Sequence, residues 1–151
     1  MTIEQIFDDY ERYHNELEAD LYFLHLMLEV DLKEVEGSTA ELGQILKFLK
    51  GCADFVNNEA VDRRLSHAER RFKQLSVLDW LIRSCSQYDQ KIIQALWIDR
   101  LSLSEAAERF YISKTSMFRK KQEVLSFLET IAQSSKDVQE LWNDVKESGT
   151  T

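Results

Sequence analysis

The sequence predicts an all-α protein built as a long N-terminal helical hairpin or coiled-coil arm, a three-helix head and a short C-terminal helix. Three observations lead there. The 151 residues contain no proline and only four glycines, at positions 37, 43, 51 and 149, so little interrupts a helix. Apolar residues recur at steps of three and four along most of the chain, the spacing of one helical face. Serines stand just before several of these periodic runs, where their hydroxyls can cap a helix N-terminus. With 44% hydrophobic and 30% charged residues, the composition is that of a folded globular chain rather than a disordered or membrane one.

Taken in order, Ile3, Phe7, Tyr10, His14, Leu17, Leu21, Leu24 and Leu28 alternate steps of four and three, a coiled-coil seam that suggests a homodimer. Around residues 21–28 the apolar stripe widens, which predicts burial between several helices, and this first helix is expected to run to Glu36-Gly37. Ser38 and Glu41 then have capping-box spacing for a second helix whose face is Leu42, Ile45, Leu46, Leu49, Ala53 and Val56. Asn57-Asn58 predicts a turn. The third helix buries Val61, Leu65, Ala68, Phe72, Leu75, Leu78 and Ile82. Its basic residues Arg63, Arg64, Arg70, Arg71 and Lys73 form a solvated face, pair with the acidic first helix, or touch a nucleic acid.

Ser86 begins the head, with Ile92, Ile93, Leu96 and Trp97 inward. Ser102 or Ser104 caps a short helix to Phe110, in which Ala106 and Ala107 are small enough for close helix approach, and Tyr111-Ile112 breaks it. Ser113 caps the next helix, which turns Met117, Val124, Leu125, Leu128 and Ile131 inward and Lys114, Thr115, Ser116, Arg119 and Lys120 outward. That order of elements predicts a helix-turn-helix. Val138, Leu141, Trp142 and Val145 predict a last amphipathic helix, and Trp80, Trp97 and Trp142 are read as core. The domain boundary is set at residues 84/85, with an acidic arm over 1–84 and the head with its C-terminal helix over 85–147.

Charge distribution qualifies the net charge of −8. Residues 1–50 carry a net of −8, residues 51–135 a net of +2, and residues 136–151 a net of −2. Residues 100–121 hold six bases and two acids, a local net of +4 that would attract a phosphate backbone. The first two turns after Ser113 would meet base edges in a major groove. Lys120, Lys121 and Arg100 would then hold phosphates. The expected partner is therefore double-stranded DNA, with DNA-binding residues Arg100, Ser113, Lys114, Thr115, Ser116, Arg119, Lys120 and Lys121.

The run Ser104-Glu105-Ala106-Ala107-Glu108-Arg109-Phe110-Tyr111-Ile112-Ser113-Lys114-Thr115-Ser116-Met117-Phe118-Arg119 resembles the promoter-reading C-terminal helix-turn-helix of bacterial sigma factors and the ArpU-type transcriptional regulators of phages. The preceding Tyr88-Asp89-Gln90-Lys91-Ile92-Ile93 resembles the helix that leads into that motif. The likeness covers roughly a third of the chain. It implies a transcriptional regulator of phage or mobile-element origin, with Ala107 as the small packing residue, Ile112 as the core residue after the turn, and Lys114 to Lys120 as the recognition helix. Where the family usually has glycine, this chain has Tyr111. Either the turn differs here, or packing of the ring offsets the strain of a left-handed residue.

A second function class remains open: a protein-interaction module or inhibitor, of the anti-CRISPR or RNA-polymerase-binding kind, acting through the acidic helices of residues 1–50. A catalytic role is not expected, because no phosphate loop, nucleophile elbow or paired carboxylates are present in the sequence. Glu11 and His14, with Glu18 one turn on, have the spacing of half a dinuclear metal site, but no second half exists and His14 lies within the apolar seam. No metal or cofactor is expected. Cys52 and Cys85 lack zinc or disulfide-scaffold spacing and are read as core residues. The acidic start and the lack of a long apolar run point to a cytoplasmic protein without a membrane partner.

Overall fold

The computed structural model describes residues 3–32 and 34–140, and these are all-helical, with no strand among them. The elements are α1 (Ile3–Asp8), α2 (Tyr10–Met27), α3 (Thr39–Ala53), α4 (Glu59–Arg83), α5 (Gln87–Ile93), a π-helical turn (Gln94–Ile98), α6 (Leu103–Arg109) and α7 (Lys114–Ser134). Residues 136–140 are also helical, with Val138 buried; Leu141, Trp142 and Val145 of the expected C-terminal helix lie outside the described residues. No helix among the described residues is long and apolar enough to cross a membrane.

The chain forms two compact units, one of residues 11–76 and one that joins residues 1–10 to residues 77–151. In the unit of residues 11–76, Tyr13, Leu17, Leu21 and Leu24 of α2 are buried, as are Leu42, Leu46 and Leu49 of α3 and Val61, Ala68 and Leu75 of α4. The apolar seam is therefore filled within one chain. Helix α2 meets α4 through Asp20, which accepts from Arg64 Nη1 at 3.0 Å and pairs with His67, and through Glu16, which accepts from Arg71. Of the three options for the basic face of α4, pairing with the acidic N-terminal helix is the one observed for Arg64 and Arg71. Helix α3 meets α4 where the Phe72 ring lies over Gly43, and Lys50 pairs with Glu69 at 3.1 Å.

A Cβ at Gly43 would stand 2.6 Å from the Phe72 ring, well inside van der Waals contact. Gly43→Ala is expected to destabilise the protein by about 1–3 kcal/mol through overpacking, read as a lower midpoint in urea.

Three expectations are corrected. The first helix is interrupted at Asp9, and α2 stops at Met27 rather than near Glu36. Its end is a left-handed closure: Glu29 has φ 54°, its N–H donates to Leu26 O at 3.2 Å, and Val30 N–H reaches back to His25 O at 3.1 Å. The widened stripe is not buried all round: Leu21 and Leu24 are, but Tyr22, Phe23, Leu26 and Met27 are exposed, and Arg64 stacks on Phe23 at 5.0 Å. Trp80 is likewise exposed rather than core, because its position on α4 is flanked by the inward Leu78 and Leu81. Cys85 is buried and Cys52 half-buried.

In the other unit, Ile3, Ile6 and Phe7 of α1 are buried, and Phe7 packs on Trp97 with ring centroids 5.8 Å apart. Tyr10, the first residue of α2, donates to Asp79 Oδ1 on the C-terminal part of α4 at 2.7 Å. Burial, with a smaller contribution from Asp89, pushes the Cys85 thiol up to about 11. Cys85 is therefore expected to stay unmodified by iodoacetamide in the native protein at pH 8, and rapid labelling there would show that the local packing opens.

Candidate functional site

Helices α6 and α7 are placed by local chemistry that repeats three times. The Ser86 hydroxyl accepts from Asp89 N–H at the start of α5, Ser102 from Glu105 N–H at the start of α6, and Ser113 from Ser116 N–H at the start of α7. At α6 the box is reciprocal, with Glu105 Oε1 accepting from Ser102 N–H at 3.2 Å. At Ser38 only half of it forms; there the Glu41 carboxylate accepts from the Ser38 hydroxyl instead, at 3.1 Å. The Ser102 bonds hold the Glu105 carboxyl below its ordinary pKa, so their contribution to stability is present above the ordinary glutamate range and is lost as pH falls through the lowered value. Ser102→Ala is expected to cost about 0.5–2 kcal/mol and to move the Glu105 titration, followed by NMR, only part of the way back toward its ordinary range, because the backbone N–H of residue 102 still donates to the carboxylate.

Between α6 and α7 lies a compact apolar cluster of Ile92, Ala95, Ala106, Ala107 and Met117, fringed by Leu96, Leu101, Leu103, Phe110 and Ile112. Alanines at 106 and 107 remove the side-chain bulk that would keep α7 away, and Met117 fills the space. Helix α6 ends in the same left-handed closure as α2. Tyr111 has φ 56°, its N–H donates to Glu108 O at 3.2 Å, and Ile112 N–H donates to Ala107 O at 3.0 Å while its side chain joins the cluster. The turn is thus of the glycine-requiring kind with a tyrosine in it, a backbone cost of about 1–2 kcal/mol. Ring packing does not offset this cost, since Tyr111 is 95% exposed.

The inward side of α7 is Met117, Val124, Leu128 and Ala132. Opposite them, at helical spacing, run Thr115, Arg119, Gln122 and Ser126, all exposed, with Phe118 on one flank and Ser116 on the other. Phe118 and Gln122 had not been singled out from the sequence, although the complement of the inward face marks both.

The expected DNA-binding residues divide into two groups. Ser113 is the cap, and Lys114, Thr115, Ser116 and Arg119 are exposed on the first turns of α7; among the described residues neither Lys114 nor Arg119 has an acidic partner. Arg100, Lys120 and Lys121 are engaged within their own unit. Arg100, with φ 61°, donates to the Asp8 carboxylate at 3.2 Å and to Asp8 O at 3.0 Å. Lys120 pairs with Asp89 at 2.9 Å and lies over the Tyr88 ring; Lys121 pairs with Glu4 at 2.8 Å and lies over Trp97. The hydrogen bond to Asp89 raises the Lys120 pKa, so this tie is intact at neutral pH and is lost only as pH rises through the raised value. Arg109 pairs with Asp99 at 3.0 Å and holds that carboxyl below its usual range.

Four of the six bases in residues 100–121 thus face acids, so the local positive field is smaller than the linear count suggests. Lys114 and Arg119 supply what remains. A cavity of about 480 Å³ lies in the unit of residues 11–76, lined by Glu18, Tyr22, Phe23, His25, Leu32, Glu34 and Glu36 among others. Both ring nitrogens of His14 are occupied, by Glu18 at 2.7 Å and by Gly37 O at 2.8 Å, and no group of three or more His, Cys, Asp or Glu among the described residues could hold a metal ion.

No protein-family model matches the chain, and comparison with curated proteins and with solved structures likewise gives no match.

Proposed function

We propose that residues 86–134 act as a helix-turn-helix and that the protein is a sequence-specific duplex-DNA-binding transcriptional regulator, of phage or mobile-element origin, that reads the major groove with α7. The observation that carries this reading is the face of α7 itself. It starts at a capped, exposed N-terminus, bears Lys114 and Arg119, cations without an acidic partner among the described residues, and continues through Thr115 and Gln122, all exposed around the Met117 cluster. Arginine suits guanine O6 and N7, glutamine suits adenine N6 and N7, and the Phe118 ring and Thr115 methyl suit a thymine methyl. Lys114 serves as a phosphate contact. The likeness of residues 104–119 to sigma-factor and ArpU-type motifs supports the same assignment. Lys120 and Lys121 are assigned to holding α7 against its unit, and Arg100 to tying the turn after residue 98 to Asp8, rather than to phosphates. Because Ile3, Ile6 and Phe7 are buried in that unit, the DNA-binding region is taken to include residues 3–10.

The test is duplex binding over a salt series, using full-length wild type and a Lys114→Ala, Arg119→Ala double variant. Two free cations predict a wild-type slope of log K against log salt of about −2 per chain, falling to about zero in the double variant. Equal slopes for the two proteins would remove the assignment.

A second reading, a protein-interaction module, is favoured by a different observation. The cavity beside exposed Tyr22, Phe23, Leu26 and Met27 carries Glu18, Glu34 and Glu36, a surface that suits a basic partner such as a face of RNA polymerase or another host protein. A homodimer would need a face other than the N-terminal seam, which is filled within one chain.

A further inference from the structure

Among the described residues, three that are not glycine have a left-handed backbone: Glu29, Arg100 and Tyr111. Each closes a helical segment, so the fold explains the dihedral. What differs is the side chain. Arg100 is held by two hydrogen bonds to Asp8, and Glu29 is a charged group that water solvates well. Tyr111 combines the strained backbone with an aromatic ring that is 95% exposed and a hydroxyl without a partner among the described residues. Glycine would close α6 at no steric cost and would expose no ring. The folded chain alone therefore gives no return for this tyrosine, and strain that a fold does not use is a pointer to an external contact.

Its position says which contact. Tyr111 lies two residues before the Ser113 cap of α7 and three before Lys114, which has no acidic partner among the described residues. We infer that Tyr111 is a DNA-backbone contact, its phenol O–H donating to a phosphate oxygen beside the start of α7. This inference rests on the proposed duplex reading and deepens it. A neutral donor to phosphate positions the protein without reading sequence, so its contribution is the same for every duplex and adds nothing to the salt slope. Lys114 and Arg119, being charged, contribute to that slope.

The test uses full-length wild type, Tyr111→Phe and Tyr111→Gly, with a random-sequence duplex as probe, and reads affinity, salt slope and thermal midpoint. Tyr111→Phe is expected to bind about tenfold more weakly with an unchanged slope and an unchanged midpoint. Tyr111→Gly is expected to bind at least as weakly while melting about 3 °C higher, a gain in stability at the expense of binding. If wild type binds and both variants bind equally well, Tyr111 has no such role and the duplex reading stands without it. If Tyr111→Phe matches wild type and only Tyr111→Gly is weakened, the ring rather than the hydroxyl makes the contact, and the phosphate assignment is overturned. A folded wild type that binds no duplex removes the duplex reading, and this inference with it.

Discussion

Met117→Ala is expected to destabilise the protein by about 3–5 kcal/mol, the upper part of the range for truncating a buried methionine. Met117 is fully buried, and its nearest buried neighbours include Ala95, Ala106 and Ala107. Alanines have no rotamers with which to fill a void, so only Ile92 and the half-buried side chains at the fringe can shift toward it, and the cavity closes incompletely. A total stability of about 5–15 kcal/mol is usual, which makes this a large fraction of it. The seven residues of α6 are too few to hold a helix by themselves, so amide exchange over 103–109 should rise most. Met117→Leu keeps the volume and should cost less than about 1.5 kcal/mol. Equilibrium urea unfolding of the two variants separates these cases.

Asp20→Ala is expected to cost about 2–3 kcal/mol by acting on the unit of residues 11–76. The carboxylate is only 2% exposed and serves two donors, Arg64 and His67 on α4. Removing one member of a buried pair commonly costs about 3–5 kcal/mol, because a charge is left without its partner. Here the side chains left behind are 41% and 46% exposed, so water takes over part of their solvation and the smaller figure applies. Arg64 also stacks on Phe23, so Arg64→Ala should expose that ring further as well as removing the ion pair. Urea midpoints of Asp20→Ala, Asp20→Asn and Arg64→Ala check the order, with Asp20→Asn the mildest.

Local chemistry made the helix starts legible. The hydroxyls of Ser38, Ser86 and Ser113 cap the helices they were expected to cap, and of the two candidates Ser102 and Ser104 it is Ser102 that caps α6, because a cap depends only on the next three residues. Asn58 likewise begins α4, its side-chain oxygen accepting from Ala60 N–H at 2.9 Å. The inward residues of the head were legible from spacing, and Ala106, Ala107 and Met117 do form its cluster.

Helix ends and ion pairs were not legible in the same way. The end of α2 at Met27 is closed by a left-handed glutamate, and a π-helical turn spans Gln94–Ile98, and neither leaves a mark in the apolar spacing. Lys121 with Glu4, and Arg100 with Asp8, join residues far apart in sequence, 92 positions in the second case, so counting charge along the chain overstated the local field. Phe118 and Gln122, in contrast, were within reach of sequence reasoning. They lie on the outward stripe defined by Thr115 and Arg119 and needed only the complement of the buried face.

The most direct measurement of the central claim is an amide chemical-shift map of the full-length protein titrated with duplex DNA. The account predicts that the largest shifts fall on residues 111–119 and 122, while Tyr13, Leu17 and Asp20 of α2 stay unmoved. Saturating duplex that leaves α7 unchanged, or that shifts only the residues around the Glu18, Glu34 and Glu36 cavity, would contradict it.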